Sequence, residues 1–127
     1  MANYLDLKTV KLLSTTTVAF NANADTTLYT VPYGYRCVLH HVTVIAGGDA
    51  GATTTLAIGQ DGAETDFIPA NTLSNLDAQY DKVDLMPIPN TTPLKGKSYA
   101  GGTVIQAQVG TQSGVASNTV LLYGTLY

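Results

Sequence analysis

Apolar and polar residues alternate with a period of two along much of the chain, the spacing that sends successive side chains to opposite faces of a β-strand. Such runs recur about every ten residues, at 16–20, 27–31, 36–46, 53–59, 64–68, 82–88, 103–110 and 118–127, each closed by Gly, Pro, Asn or Asp. Strands at that spacing predict an all-β domain built as a sandwich or barrel. In the run from Thr103, Ile105, Ala107 and Val109 point one way and Gln106 and Gln108 the other, so one face is apolar and one wet. The C-terminal run is apolar on both faces, with Val120, Leu122 and Leu126 on one and Leu121, Tyr123 and Tyr127 on the other. The run from Arg36 reads the same way, with Val38, Val42 and Val44 opposed to Cys37, Leu39 and Ile45.

A two-sheet sandwich covers one face of each sheet, so a doubly apolar strand implies a second cover. The N-terminal segment, a long loop or a neighbouring subunit could supply it. A subunit is favoured, because Tyr123 and Tyr127 are of a residue type enriched at interfaces. Residues 71–81 hold the one helical pattern, with Leu73, Leu76 and Tyr80 on a common face and Asn71 or Thr72 as cap; at most one short helical turn is expected there. Residues 1–14 alternate ambiguously and divide the chain into an N-terminal segment or arm, 1–14, and a domain, 15–127.

Composition strengthens the strand reading. The chain has 127 residues, enough for one core, and only 12% are charged, too few for solvated helix faces. A net charge of −3 with six scattered basic residues argues against a nucleic-acid partner. No stretch approaches the roughly 20 apolar residues that span a bilayer, and the first residues lack a signal-peptide pattern, so no membrane partner is expected and synthesis is placed in the cytoplasm. Cys37 is the single cysteine and sits in an apolar run, which predicts an inert core thiol.

Candidate chemistry is sparse. His40 and His41 are neighbours in a strand and are expected to face opposite sides of the sheet, where they cannot share a metal ion. Asp61, Glu64 and Asp66 form one acidic group and Asp77, Asp81 and Asp84 another; both read as solvated loops, since neither has EF-hand spacing. Gly47 to Gly51 reads as a hairpin loop, because phosphate-cradling loops open a helix. No nucleophile elbow or paired carboxylate site emerges, so the chain is read as a non-enzyme without a cofactor.

The turn Thr30-Val31-Pro32-Tyr33-Gly34, leading into the strand Cys37 to Val44, resembles a recurrent pattern of small tailed-bacteriophage virion proteins of jelly-roll type. In that pattern a TVPxG turn introduces a hydrophobic strand. The size of the chain makes it most similar to a capsid cement, or decoration, protein. The resemblance implies a jelly-roll β-sandwich of about eight antiparallel strands, a homotrimer, and the major capsid protein as partner on the outside of the virion. It implies that Tyr4, Leu5 and Leu7 meet the capsid and that Tyr123 and Tyr127 meet the other subunits. The competing expectation is a trimeric fibre-tip or receptor-binding jelly roll that recognises glycan.

Overall fold

The computed structural model describes residues 9–87, 96–110 and 117–127. They form nine strands: β1 (Lys11–Val18), β2 (Asp25–Thr30), β3 (Arg36–Ile45), β4 (Thr55–Gln60), β5 (Ala63–Thr72), β6 (Lys82–Leu85), β7 (Ser98–Ala100), β8 (Val104–Gly110) and β9 (Asn118–Leu126). One sheet runs β1-β9-β3-β6, with β7 also paired to β3; the other runs β2-β8-β4-β5. Every pairing is antiparallel.

The order follows from one long hairpin rolled on itself. Its arms pair β1 with β9, β2 with β8, β3 with β6 and β4 with β5; rolling then lays β3 beside β9 and β4 beside β8. This is the double Greek key of a jelly roll. The core lies between the sheets. Val42, Val44, Val120 and Leu122 enter from the first sheet and Leu56, Ile58, Ile105 and Ala107 from the second, all nearly or fully buried. Each such Val, Leu or Ile side chain contributes about 1.5–3 kcal/mol by leaving water.

The local signals explain most elements. Val31 follows β2, and the Tyr35 amide donates to the Pro32 carbonyl at 3.2 Å. Gly34 sits at φ 86°. That is a type II turn, whose third residue needs a positive φ and therefore a glycine. Pro69 lies within β5, tolerated because β5 is the edge strand of its sheet.

Three regions add detail to the sequence reading. First, residues 71–81 form no helix, within the expected limit of one short helical turn. Asn71 and Thr72 complete β5, and a pair of turns comes next, Leu73 to Leu76 and Ala78 to Asp81. Leu73 and Leu76 are buried as the pattern implied, but Tyr80 is exposed at φ 74°. Beyond those two turns, the backbone here bonds across to another loop: Ala50 donates to Leu76, Leu73 to Thr54 and Tyr80 to Ala46. Second, β7 adds a short strand too brief to show a period, and β1 begins at Lys11, inside the segment read as 1–14.

Third, β3 carries a bulge. Leu39 pairs with Gly124 and His41 with Tyr123, leaving His40 as the extra residue. The insertion reverses the alternation, so Cys37 and Leu39 share the core face with Val42 and Val44, while Val38 and Ile45 turn outward with partial exposure. Gly124 makes the bulge possible, because a Cβ there would lie 2.6 Å from the Val38 carbonyl oxygen and 3.3 Å from the Leu39 Cα. Replacing Gly124 with alanine is expected to cost about 1–3 kcal/mol, from forced separation of β3 and β9. Urea denaturation measures this, and an unchanged midpoint would mean that the strands part without penalty.

Candidate assembly surface

The strands β1, β9, β3 and β6 carry a second face, opposite the core. Along β9, burial alternates strictly: Val120, Leu122 and Leu126 are buried, and Thr119, Leu121, Tyr123 and Thr125 are partly exposed. The doubly apolar reading of β9 thus resolves into one sealed face and one half-covered face. Tyr123 lies at the middle of the latter, cross-strand from Leu12 of β1 and His41 of β3. Leu12 is 47% exposed, so apolar surface extends to the edge strand. Tyr127 continues the same parity at the strand end, where its backbone N–H and C=O both bond Arg36 and its side chain is 49% exposed. Tyr4, Leu5 and Leu7 lie outside the described residues.

The histidine expectation is overturned on this face. Because His40 is the bulged residue, the two rings do not point to opposite sides; their Nδ1 atoms lie 2.7 Å apart. His41 also stacks on Tyr123, with ring centroids 4.5 Å apart and planes 9° from parallel. A glycine inside a strand pattern, here Gly124, was the available sign of a bulge.

Three of the acidic residues, Asp66, Asp81 and Asp84, are committed to structure. Asp66 accepts from the Gln60 side chain at 2.8 Å and from the Tyr99 hydroxyl at 2.8 Å, with the Lys97 Nζ at 3.5 Å. This ties β5 of one sheet to β7 of the other, and burial, followed by the Asp66 contact, pushes the Tyr99 phenol well above its ordinary range. Asp81 accepts from the Asp77 and Ala78 amides. Asp84 accepts from the Thr43 hydroxyl at 2.6 Å, which holds its carboxyl below the usual value. Among the described residues, no three His, Cys, Asp or Glu side chains gather as a metal set. Cys37 is fully buried, and desolvation pushes its thiol up to about 11, so it is protonated and unreactive at neutral pH.

A shallow cleft of about 320 Å³ opens on the outer side of the second sheet, between Asn23, Asp25, Thr55, Ala70 and Gln108. Its described lining offers one carboxylate, amides and small side chains but no aromatic ring on which a sugar could stack.

The fold therefore defines a jelly-roll β-sandwich with a half-covered outer sheet. Two solved structures are similar to it in fold. One is described as the cyanophage Pam1 capsid asymmetric unit, matched at a TM-score of 0.59 and 18% identity over 98% of this chain and 89% of that one. The other is described as the acidic stable capsid structure of Helicobacter pylori bacteriophage KHP30, matched at a TM-score of 0.60 and 16% identity over 93% of this chain and 90% of that one. At those identities the likeness is one of fold. No family model matches the chain, and no curated protein matches it.

Proposed function

We infer that the chain is a structural virion protein, a cement or decoration protein that binds the outside of an icosahedral phage head and stabilises the shell. The observation that carries this reading is the fold likeness, which spans nearly the whole chain and falls twice on capsid structures. The half-covered face around Tyr123 supports it, since a sheet face of Thr, Leu, Tyr and His suits protein contact without the desolvation cost of dense charge.

In this reading the role is adhesive and non-enzymatic. A protein that binds the assembled shell but not its separated subunits stabilises the shell by linkage, and a homotrimer multiplies modest contacts into slow release. Tyr4, Leu5 and Leu7 meet the major capsid protein, and Tyr123 and Tyr127 meet neighbouring copies.

The test adds purified protein to phage heads assembled without it and measures cosedimentation and the temperature at which heads rupture. Binding at a fixed ratio with a raised rupture temperature is expected. Replacing Tyr4, Leu5 and Leu7 together with alanine should weaken binding at least tenfold without changing the solution mass. Replacing Tyr123 with glutamate should reduce that mass from three chains to one. Failure to bind any head, together with retention on a glycan surface, would favour the fibre-tip reading.

A further inference from the structure

His40 and His41 are consecutive, yet the bulge brings their rings together on the exposed side of the first sheet. The ring centroids are 4.9 Å apart with planes 78° from parallel, and the Nδ1 atoms are 2.7 Å apart. The two nitrogens therefore point at each other along the line between the rings. So short an approach requires a proton in between, with one ring's Nδ1–H donating and the other's Nδ1 lone pair accepting. Chelation of a metal ion would need both lone pairs to converge on a third point, which is a different arrangement.

We propose that this pair is an acid-operated latch on the outer face of the first sheet: one shared proton holds His41 flat against Tyr123, and uptake of another at the shared position opens it. The latch stands on this geometry alone and does not depend on the capsid reading. The first proton taken from solvent enters at Nε2 of the donor ring, leaving the bond in place and making it charge-assisted. The next can enter only at the acceptor Nδ1. It removes the lone pair, sets two N–H groups against each other and places two cations side by side.

The groups facing His41 do not offset that repulsion. Tyr123 of β9 offers a ring face. Asp84 of β6 favours a cationic His41, but its carboxylate accepts from Thr43 and lies 3.7 Å from the Lys82 Nζ, whose charge acts the opposite way. Of the cations nearest along β3 and β7, Arg36 donates to Ser98 and Lys97 pairs with Asp66. Burial first, and His40 next, hold the His41 imidazole below its ordinary pKa. A folded-state value below the unfolded one means that the unfolded chain binds more protons. The arrangement is therefore intact above about pH 6.5 and is progressively lost as pH falls from there through the folded value.

The test tracks the imidazole and Tyr123 ring resonances of the full chain by NMR from pH 8 to pH 4, in the wild type and in His40→Ala. His40 is exposed, so the variant keeps the core. In the wild type, two coupled steps about one pH unit or more apart are expected, with the Tyr123 ring signals moving at the lower one. In His40→Ala, His41 should titrate in a single step at higher pH, with Tyr123 moving in the same step. Two independent single-proton curves that ignore each other's replacement would overturn the shared proton. Tyr123 signals that stay fixed through every step would overturn the latch even if the protons are coupled.

Discussion

Replacing Phe20 with alanine is expected to cost about 3–5 kcal/mol, the range for removing a fully enclosed aromatic ring. Among the described residues Phe20 is the largest side chain wholly sealed from solvent, although it lies in the connection after β1 and not in a strand. Its end of the sandwich is closed by loops. The β3–β4 connection supplies buried Ala46 and Ala50, and the β5–β6 connection supplies Leu73 and Leu76, cross-linked through the Ala50 to Leu76 and Leu73 to Thr54 backbone bonds. A cavity there cannot collapse easily, because the surrounding backbone is already bonded. Urea denaturation measures the loss; a cost below about 1 kcal/mol would mean that the loops close over the gap.

Replacing Asn118 with alanine should also be damaging, at about 2–4 kcal/mol, because it strands the buried Val18 carbonyl and removes the side-chain acceptor of the Gly47 amide at once. Asn118 is 2% exposed. Its Oδ1 accepts from the Gly47 amide at 3.1 Å, and its Nδ2 donates to the Val18 carbonyl at 3.2 Å. One side chain thus joins the end of β1, the start of the β3–β4 loop and the start of β9. Gly47 must stay small there, because a Cβ would overlap the Ser117 carbonyl oxygen. Loss of hydrogen-exchange protection at Gly47 in Asn118→Ala, with the strand centres still protected, would locate the damage. Uniform loss across the core would instead show that the bridge holds the whole sandwich.

These two positions were legible to different degrees. Phe20 closed the first run of the sequence pattern, so its apolar character was visible, but nothing local distinguishes a surface phenylalanine in a turn from one that plugs the end of a sandwich. Asn118 read only as the polar start of a strand. Its role arises from Gly47 and Val18, 71 and 100 residues away. The face around Tyr123 was half legible. Alternation in β9 separated Leu121 and Tyr123 from Val120 and Leu122 correctly, since a strand without an inserted residue keeps its period.

In β3 the same reasoning failed after Leu39. The inserted His40 is set by pairing with Gly124 across the sheet, and a period-two pattern cannot register an extra residue that its partner does not match. The histidine pair and its stacking on Tyr123 were invisible for the same reason. At 71–81 the helical spacing of Leu73, Leu76 and Tyr80 goes no further than isolated turns, because backbone bonds to the β3–β4 loop outweigh it.

The sequence by itself determined that the chain is all β, where most strands fall, and that Pro32 to Tyr35 turns on Gly34. Those features depend on local backbone preference and on which side chains leave water. The tertiary structure alone decided the rolled strand order, the β3 bulge, the β7 pairing and the Asp66 to Tyr99 tie between sheets. Each of these depends on which distant residue comes to lie opposite, and a local period carries no record of that.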